Sequence, residues 1–213
     1  MAQRPEVANE TAEVDTSEFP PPQELADLIE KADVTIVTGK RPRSNRPEQN
    51  GGGRLAGETT FEFNYEYSSR VQWRPTGRND DRRVEVTVRF RKLKLKSRHQ
   101  VWLRRPPKPE NFWEDALVRH EFDHVKISSH PVIQNLFVRL TKRLTRFEIP
   151  LRDAADRYGR VSQSRVEAIV DERIREVVDE VAEYVRIRYR ELDRTTRHGI
   201  LPLPDDFALQ PNL

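Results

Sequence analysis

Hydrophobic positions recur along this chain with two different periods, and the change from one to the other divides it into a strand-rich first half and a helical second half. Val34, Ile36 and Val37 mark a first strand, and residues 40–53, rich in Arg, Pro, Asn and Gly, read as a loop. Thr60, Phe61, Phe63, Tyr65 and Tyr67 then alternate with polar residues as a half-buried strand does, with Val71 and Trp73 continuing after a turn. Beyond a second turn at residues 75–81, Val84, Val86, Val88 and Phe90 alternate with Glu85, Thr87, Arg89 and Arg91. Leu93 and Leu95 come one residue late, which predicts a bulge or turn near Lys92.

From there the period lengthens. Trp113, Ala116, Leu117, His120, His124 and Ile127 follow the spacing of one helix face, with Pro109 just before the run. Val132, Leu136, Leu140, Leu144 and Phe147 outline a second helix. Val166, Val170, Ile174, Val177, Val181, Val185 and Leu192 outline a long third one, opened by a capping box from Ser164 to Glu167. The expected class is α+β, with an antiparallel sheet packed on the helix of residues 113–127 and two further helices closing the core.

Composition narrows this picture. With 213 residues, 35% hydrophobic and 34% charged, the chain can bury one core and leave long solvated faces. One domain over residues 31–200 is expected, preceded by a disordered segment 1–30 and followed by a tail 201–213. The absence of cysteine removes disulfides, thiol nucleophiles and thiolate metal sites together, so any metal must use His, Asp or Glu. No run of 18 apolar residues exists to span a membrane. The start of the chain lacks the charged and apolar regions of a signal peptide, which makes the cytoplasm the default expectation.

The chemistry concentrates in His120-Glu121-Phe122-Asp123-His124, an H-E-x-x-H sequence. Residues four apart stack on one helix face, so His120 and His124 can direct ring nitrogens at one zinc ion while Glu121 reaches toward a bound water as general base. Such a site hydrolyses a polarised carbonyl, and a peptide or protein is the expected substrate. The plain alternative is an amphipathic helix whose histidines are half-buried core residues.

Zinc needs a third protein ligand. His198, followed by Gly199 at the end of the long helix, is the leading candidate, since a left-handed glycine there can turn a side chain back toward a cleft. The alternative is His130, which has the metzincin interval after His124 but follows Ile127 where that turn requires glycine. Glu167, Asp171 and Glu172 are further possibilities from the long helix, although they read more simply as its solvated first turns.

The stretch from Trp113 through His124 to Ile127, with the later Leu192-Asp193-Arg194-Thr195-Thr196-Arg197-His198-Gly199, resembles the bacterial domain of unknown function nine-twenty-two, described as predicted secreted zinc-dependent proteases. The resemblance covers about residues 30 to 200 and implies a zincin-like metallopeptidase domain binding zinc. It aligns Asp193, Thr196, His198 and Gly199 with the family's closing motif, which implies that Asp193 and Thr196 support His198 from behind. Leu192 stands where the family has an aromatic, and the family's strand cysteine is absent.

Two rival readings remain. Arg89, Lys92, Lys94, Lys96, Arg98, Arg104 and Arg105 cluster within residues 89–105 beside Trp102, the makings of a nucleic-acid surface with a stacking aromatic. A net charge of only +3 and acids spread through the chain weigh against it. The other rival is a catalytically inactive scaffold that keeps a zincin fold, against which an intact Glu121 argues.

Overall fold

A computed structural model describes residues 11–42, 55–78, 81–156 and 158–204. The chain runs β1 (Thr11–Glu13), α1 (Gln23–Ala32), β2 (Val34–Gly39), β3 (Gly57–Thr76) and β4 (Arg83–Leu103). A 3-10 turn (Pro109–Glu114) leads into α2 (Ala116–Ser129) and α3 (Pro131–Lys142). A second 3-10 turn (Arg143–Thr145), β5 (Arg146–Pro150), α4 (Leu151–Ala154) and α5 (Gln163–Thr196) complete it. The fold is mixed α+β with a mostly antiparallel sheet and, among the described residues, five α-helices. No helix among them is long and apolar enough to cross a membrane.

The chain divides into two compact units. The first comprises Met1–Glu62, Ser97–His130 and Val185–Leu213. Its strands lie in the order β1-β2-β4-β3. The sheet is not wholly antiparallel as expected, because β2 runs parallel to β4, with Val34 opposite His99 and Thr38 opposite Leu103. β2 lies on the side of β4 away from β3. The core of this unit lies between strands and helices, where Ala32 of α1, Ile36 of β2, Val101 and Leu103 of β4, Phe112, and Val118, Phe122 and Val125 of α2 form one cluster. Each large side chain in it contributes about 1.5–3 kcal/mol relative to exposure.

Of residues 1–30, expected to be disordered, the described part carries β1 and most of α1, while residues 1–10 lie outside the described residues. Leu25, Leu28, Ile29 and Ala32 recur at helical spacing, and that face packs on the core. Just upstream, Phe19 meets Phe112 at 5.2 Å between ring centroids, and its carbonyl accepts from Trp113 Nε1 at 2.8 Å.

The second unit comprises Phe63–Lys96 and Pro131–Tyr184. Here β5 pairs antiparallel with the start of β4, Arg83 opposite Pro150 and Thr87 opposite Arg146. Phe147 therefore belongs to a strand, and α3 is shorter than the expected helix. Val84, Val86, Val88, Ile133, Leu136, Phe137, Val166, Val170 and Ile174 are buried. No turn interrupts β3 near Val71, nor β4 at Lys92. The phase change in β4 is real, since Arg91 and Lys92 are consecutively exposed. Gln134 of α3 compensates there, accepting from Leu95 N at 2.7 Å and donating to Leu93 O at 3.4 Å. Among the described residues three α-helices, not two, follow α2. The last begins one residue before the expected box, with Ser162 Oγ accepting from Arg165 N at 3.2 Å.

Candidate metal centre

All the groups of the H-E-x-x-H site belong to the first unit. Asp115 caps α2, its carboxylate accepting from Leu117 N at 2.9 Å and Val118 N at 3.3 Å, so the helix starts at Ala116 and Trp113 lies outside it. Along α2, His120, Glu121 and His124 are all buried. The two imidazole rings stand edge to face with centroids 4.7 Å apart. Their Nε2 atoms converge on one oxygen: Asp193 Oδ1 of α5 lies 3.1 Å from His120 Nε2 and 2.9 Å from His124 Nε2. Burial pushes the Asp193 carboxyl up, but the hydrogen bonds and charge of the two histidines outweigh it and hold the group well below the ordinary carboxylate range.

Behind His120 lies the hydroxyl of Thr196. Thr196 Oγ1 donates its single proton to Leu192 O at 2.9 Å and accepts from Gly199 N at 3.2 Å. Its remaining contact is with His120 Nδ1, at 3.3 Å.

The donor set fits a cation. One nitrogen from each of His120 and His124 and one oxygen of Asp193 lie within 4.8 Å of one another, the one such group of three or more His, Asp or Glu found among the described residues. Ligands of a tetrahedral zinc at roughly 2.0–2.1 Å stand about 3.3 Å apart, close to the 3.1 and 2.9 Å that separate Asp193 Oδ1 from the two Nε2 atoms. His124 Nδ1 is buried without a hydrogen-bond partner, and its ring packs on Tyr189 with centroids 4.3 Å apart. Tyr189 OH in turn meets Ser128 Oγ at 2.8 Å.

The remaining expected residues fall elsewhere. His198, the favoured third ligand, has a side chain 67% exposed, and its Nδ1 lies 3.6 Å from Asp193 Oδ1. Asp193, expected to support it from behind, faces both buried histidines as well, and Thr196 lies against His120. The reason is backbone conformation: Arg197, His198 and Gly199 all have positive φ (51°, 57° and 80°), a left-handed turn that brings Gly199 against His120. His130 caps the C-terminus of α2 and stands outside the cluster. In the second unit, Asp171 accepts from Tyr65 OH at 3.0 Å and pairs with Arg175 at 3.1 Å. Burial, with Asp171 beside it, pushes the Tyr67 hydroxyl up to about 12.

Glu121 meets β3. Its Oε2 accepts from Thr59 Oγ1 at 2.7 Å, and a Cβ placed on Gly57 would stand 2.6 Å from its Oε1. Burial pushes this carboxyl up, against the nearby His124 charge and the Thr59 hydrogen bond. Gly57, Thr59 and Tyr189 carry no motif. The one available signal was Gly57 at the start of an alternating strand.

The basic strand does not form the expected stacking surface. Trp102 is buried, with Nε1 donating to Gly39 O at 3.1 Å. Lys96 pairs with Glu66, and Arg98 with Asp33 at 2.7 Å.

No protein-family model, no curated protein and no solved structure matches this chain.

Proposed function

We propose that the protein is a metal-dependent hydrolase, in the simplest form a zinc peptidase with a zincin-like arrangement, in which His120, His124 and Asp193 hold the ion and Glu121 is the general base. The observation that carries this reading is the convergence of two buried imidazole Nε2 atoms on one oxygen of Asp193, at 3.1 and 2.9 Å. The resemblance to the zinc-dependent protease family belongs to the same proposal, with Asp193 in place of His198 as third ligand.

A divalent ion held by His120, His124 and Asp193 would supply Lewis acidity toward a water and a carbonyl. Glu121, adjacent to His120 and fixed by Thr59, takes a proton from the attacking water and passes it to the leaving amine. Tyr189 packs on the His124 ring and limits its rotation. His198, exposed beside Asp193, donates a hydrogen bond to the oxygen on which negative charge develops.

Elemental analysis of protein purified without chelator tests the reading, with about one zinc per chain expected. His120→Ala, His124→Ala and Asp193→Ala lose the metal. His198→Ala keeps it and slows turnover. Glu121→Gln keeps it while hydrolysis of fluorescein-labelled casein falls at least about 100-fold, because an amide cannot accept the proton. A metal-free wild type, or undiminished turnover by Glu121→Gln, overturns the proposal. The scaffold reading predicts a metal-loaded but inert wild type.

A further inference from the structure

The carboxylate of Glu121 is held from a neighbouring strand rather than from its own helix. Gly57 and Thr59 lie two apart on β3, so both face α2, and both are buried. Thr59 Oγ1 stands 2.7 Å from Glu121 Oε2 and 3.0 Å from the backbone oxygen of the same residue. A hydroxyl has one proton, and the shorter of the two contacts, 2.7 Å to Oε2, takes it.

The other oxygen is held by shape. A Cβ on Gly57 would approach Glu121 Oε1 to 2.6 Å and Leu117 Cδ1 to 3.1 Å. Gly57 is not among the residues with positive φ, so its backbone does not call for glycine. Glycine weakens a strand interior and marks a place where something must approach closely. Here that group is a carboxylate oxygen.

We propose that Gly57 and Thr59 are positioning residues that hold the Glu121 carboxylate in a single orientation, one oxygen tied by a hydroxyl and the other seated where a side chain is missing. This inference rests on the reading of Glu121 as general base. An orientation held in advance matters because misplacing a reacting group by about 1 Å costs on the order of 100-fold in rate.

The test compares zinc-loaded wild type, Thr59→Val, Thr59→Ser and Gly57→Ala. Thr59→Val should keep stoichiometric zinc and lower kcat on fluorescein-labelled casein by about 10- to 100-fold, with KM within about two-fold. Thr59→Ser, which restores the hydroxyl, should recover kcat to within about three-fold of wild type. Gly57→Ala should lower kcat by keeping Oε1 out of its seat. An independent arm is crystallographic: Glu121 should stay on Thr59 in wild type and Thr59→Ser, and leave that position in Thr59→Val. Wild-type kcat in Thr59→Val, loss of zinc in that variant, or an unmoved Glu121 side chain overturns the inference. An inert wild type instead sinks the hydrolase reading, and the crystallographic arm then still decides whether the clamp exists.

Discussion

Replacing Gly199 by alanine separates the two roles that glycine plays at the end of α5. Gly199 has φ +80°, and an added Cβ would stand 2.8 Å from His120 Cβ and 3.0 Å from its Cγ. Gly159 provides the matched control, with φ +74° and nothing within 4 Å of its added Cβ. Both substitutions force a β-carbon into the left-handed region, at about 1–2 kcal/mol. Only the first also drives that carbon into a buried ring, and overpacking of that kind adds about 1–3 kcal/mol. Gly159→Ala is therefore expected to cost about 1–2 kcal/mol and Gly199→Ala about 2–5 kcal/mol, the difference reporting contact with His120. Urea unfolding of the two variants and wild type, monitored by tryptophan fluorescence and circular dichroism so that coincident transitions justify a two-state fit, measures both. Gly199→Ala should also weaken zinc binding in a competition titration, and Gly159→Ala should not. Equal costs at the two positions, or unchanged zinc affinity in Gly199→Ala, would refute the account of α5's end as the element that seats His120.

Two other predictions concern groups that brace the same helix. His99 is buried, its Nδ1 donating to Ala32 O at 2.7 Å and its Nε2 accepting from Ser128 Oγ at 2.6 Å. Burial lowers its pKa below 6.5, outweighing the Ala32 hydrogen bond and the Asp33 charge, so the unfolded chain binds this proton more readily than the folded one. Its contribution is complete above about pH 6.5 and is lost as pH falls through that value toward the lowered folded pKa. Thermal unfolding between pH 7.5 and 5.5 should fall more steeply for wild type than for His99→Gln, and parallel curves would contradict this. Asp115→Ala should cost about 0.5–2 kcal/mol in chemical denaturation by leaving Leu117 N and Val118 N without their acceptor, whereas Asp115→Asn should lose much less.

The sequence by itself determined what depends on local period. About 100° per residue places His120 and His124 on one helix face with Glu121 next to the first, whatever else the chain does. Strict alternation marked β3 and the start of β4, and the lateness of Leu93 signalled the change of phase in β4. The same arithmetic, applied to Leu25, Leu28, Ile29 and Ala32, would have found α1. It was masked by the polar, proline-ended stretch around it.

Tertiary structure decided which distant groups complete the site. Asp193 lies 69 residues beyond His124 and Thr59 lies 62 before Glu121, so their meeting depends on where α5 and β3 pack against α2. Helical period says which way Asp193 points around α5 but not what waits there. His198 shows the converse. Its position beside a helix-ending glycine was legible, and Gly199 does take the left-handed conformation. That conformation extends back through His198 and Arg197, however, leaving the imidazole largely exposed and bringing Gly199 itself against His120. Direction along a helix follows from sequence because each residue turns the chain by a fixed angle; which carboxylate two buried imidazoles meet follows only from how separate elements close on one another.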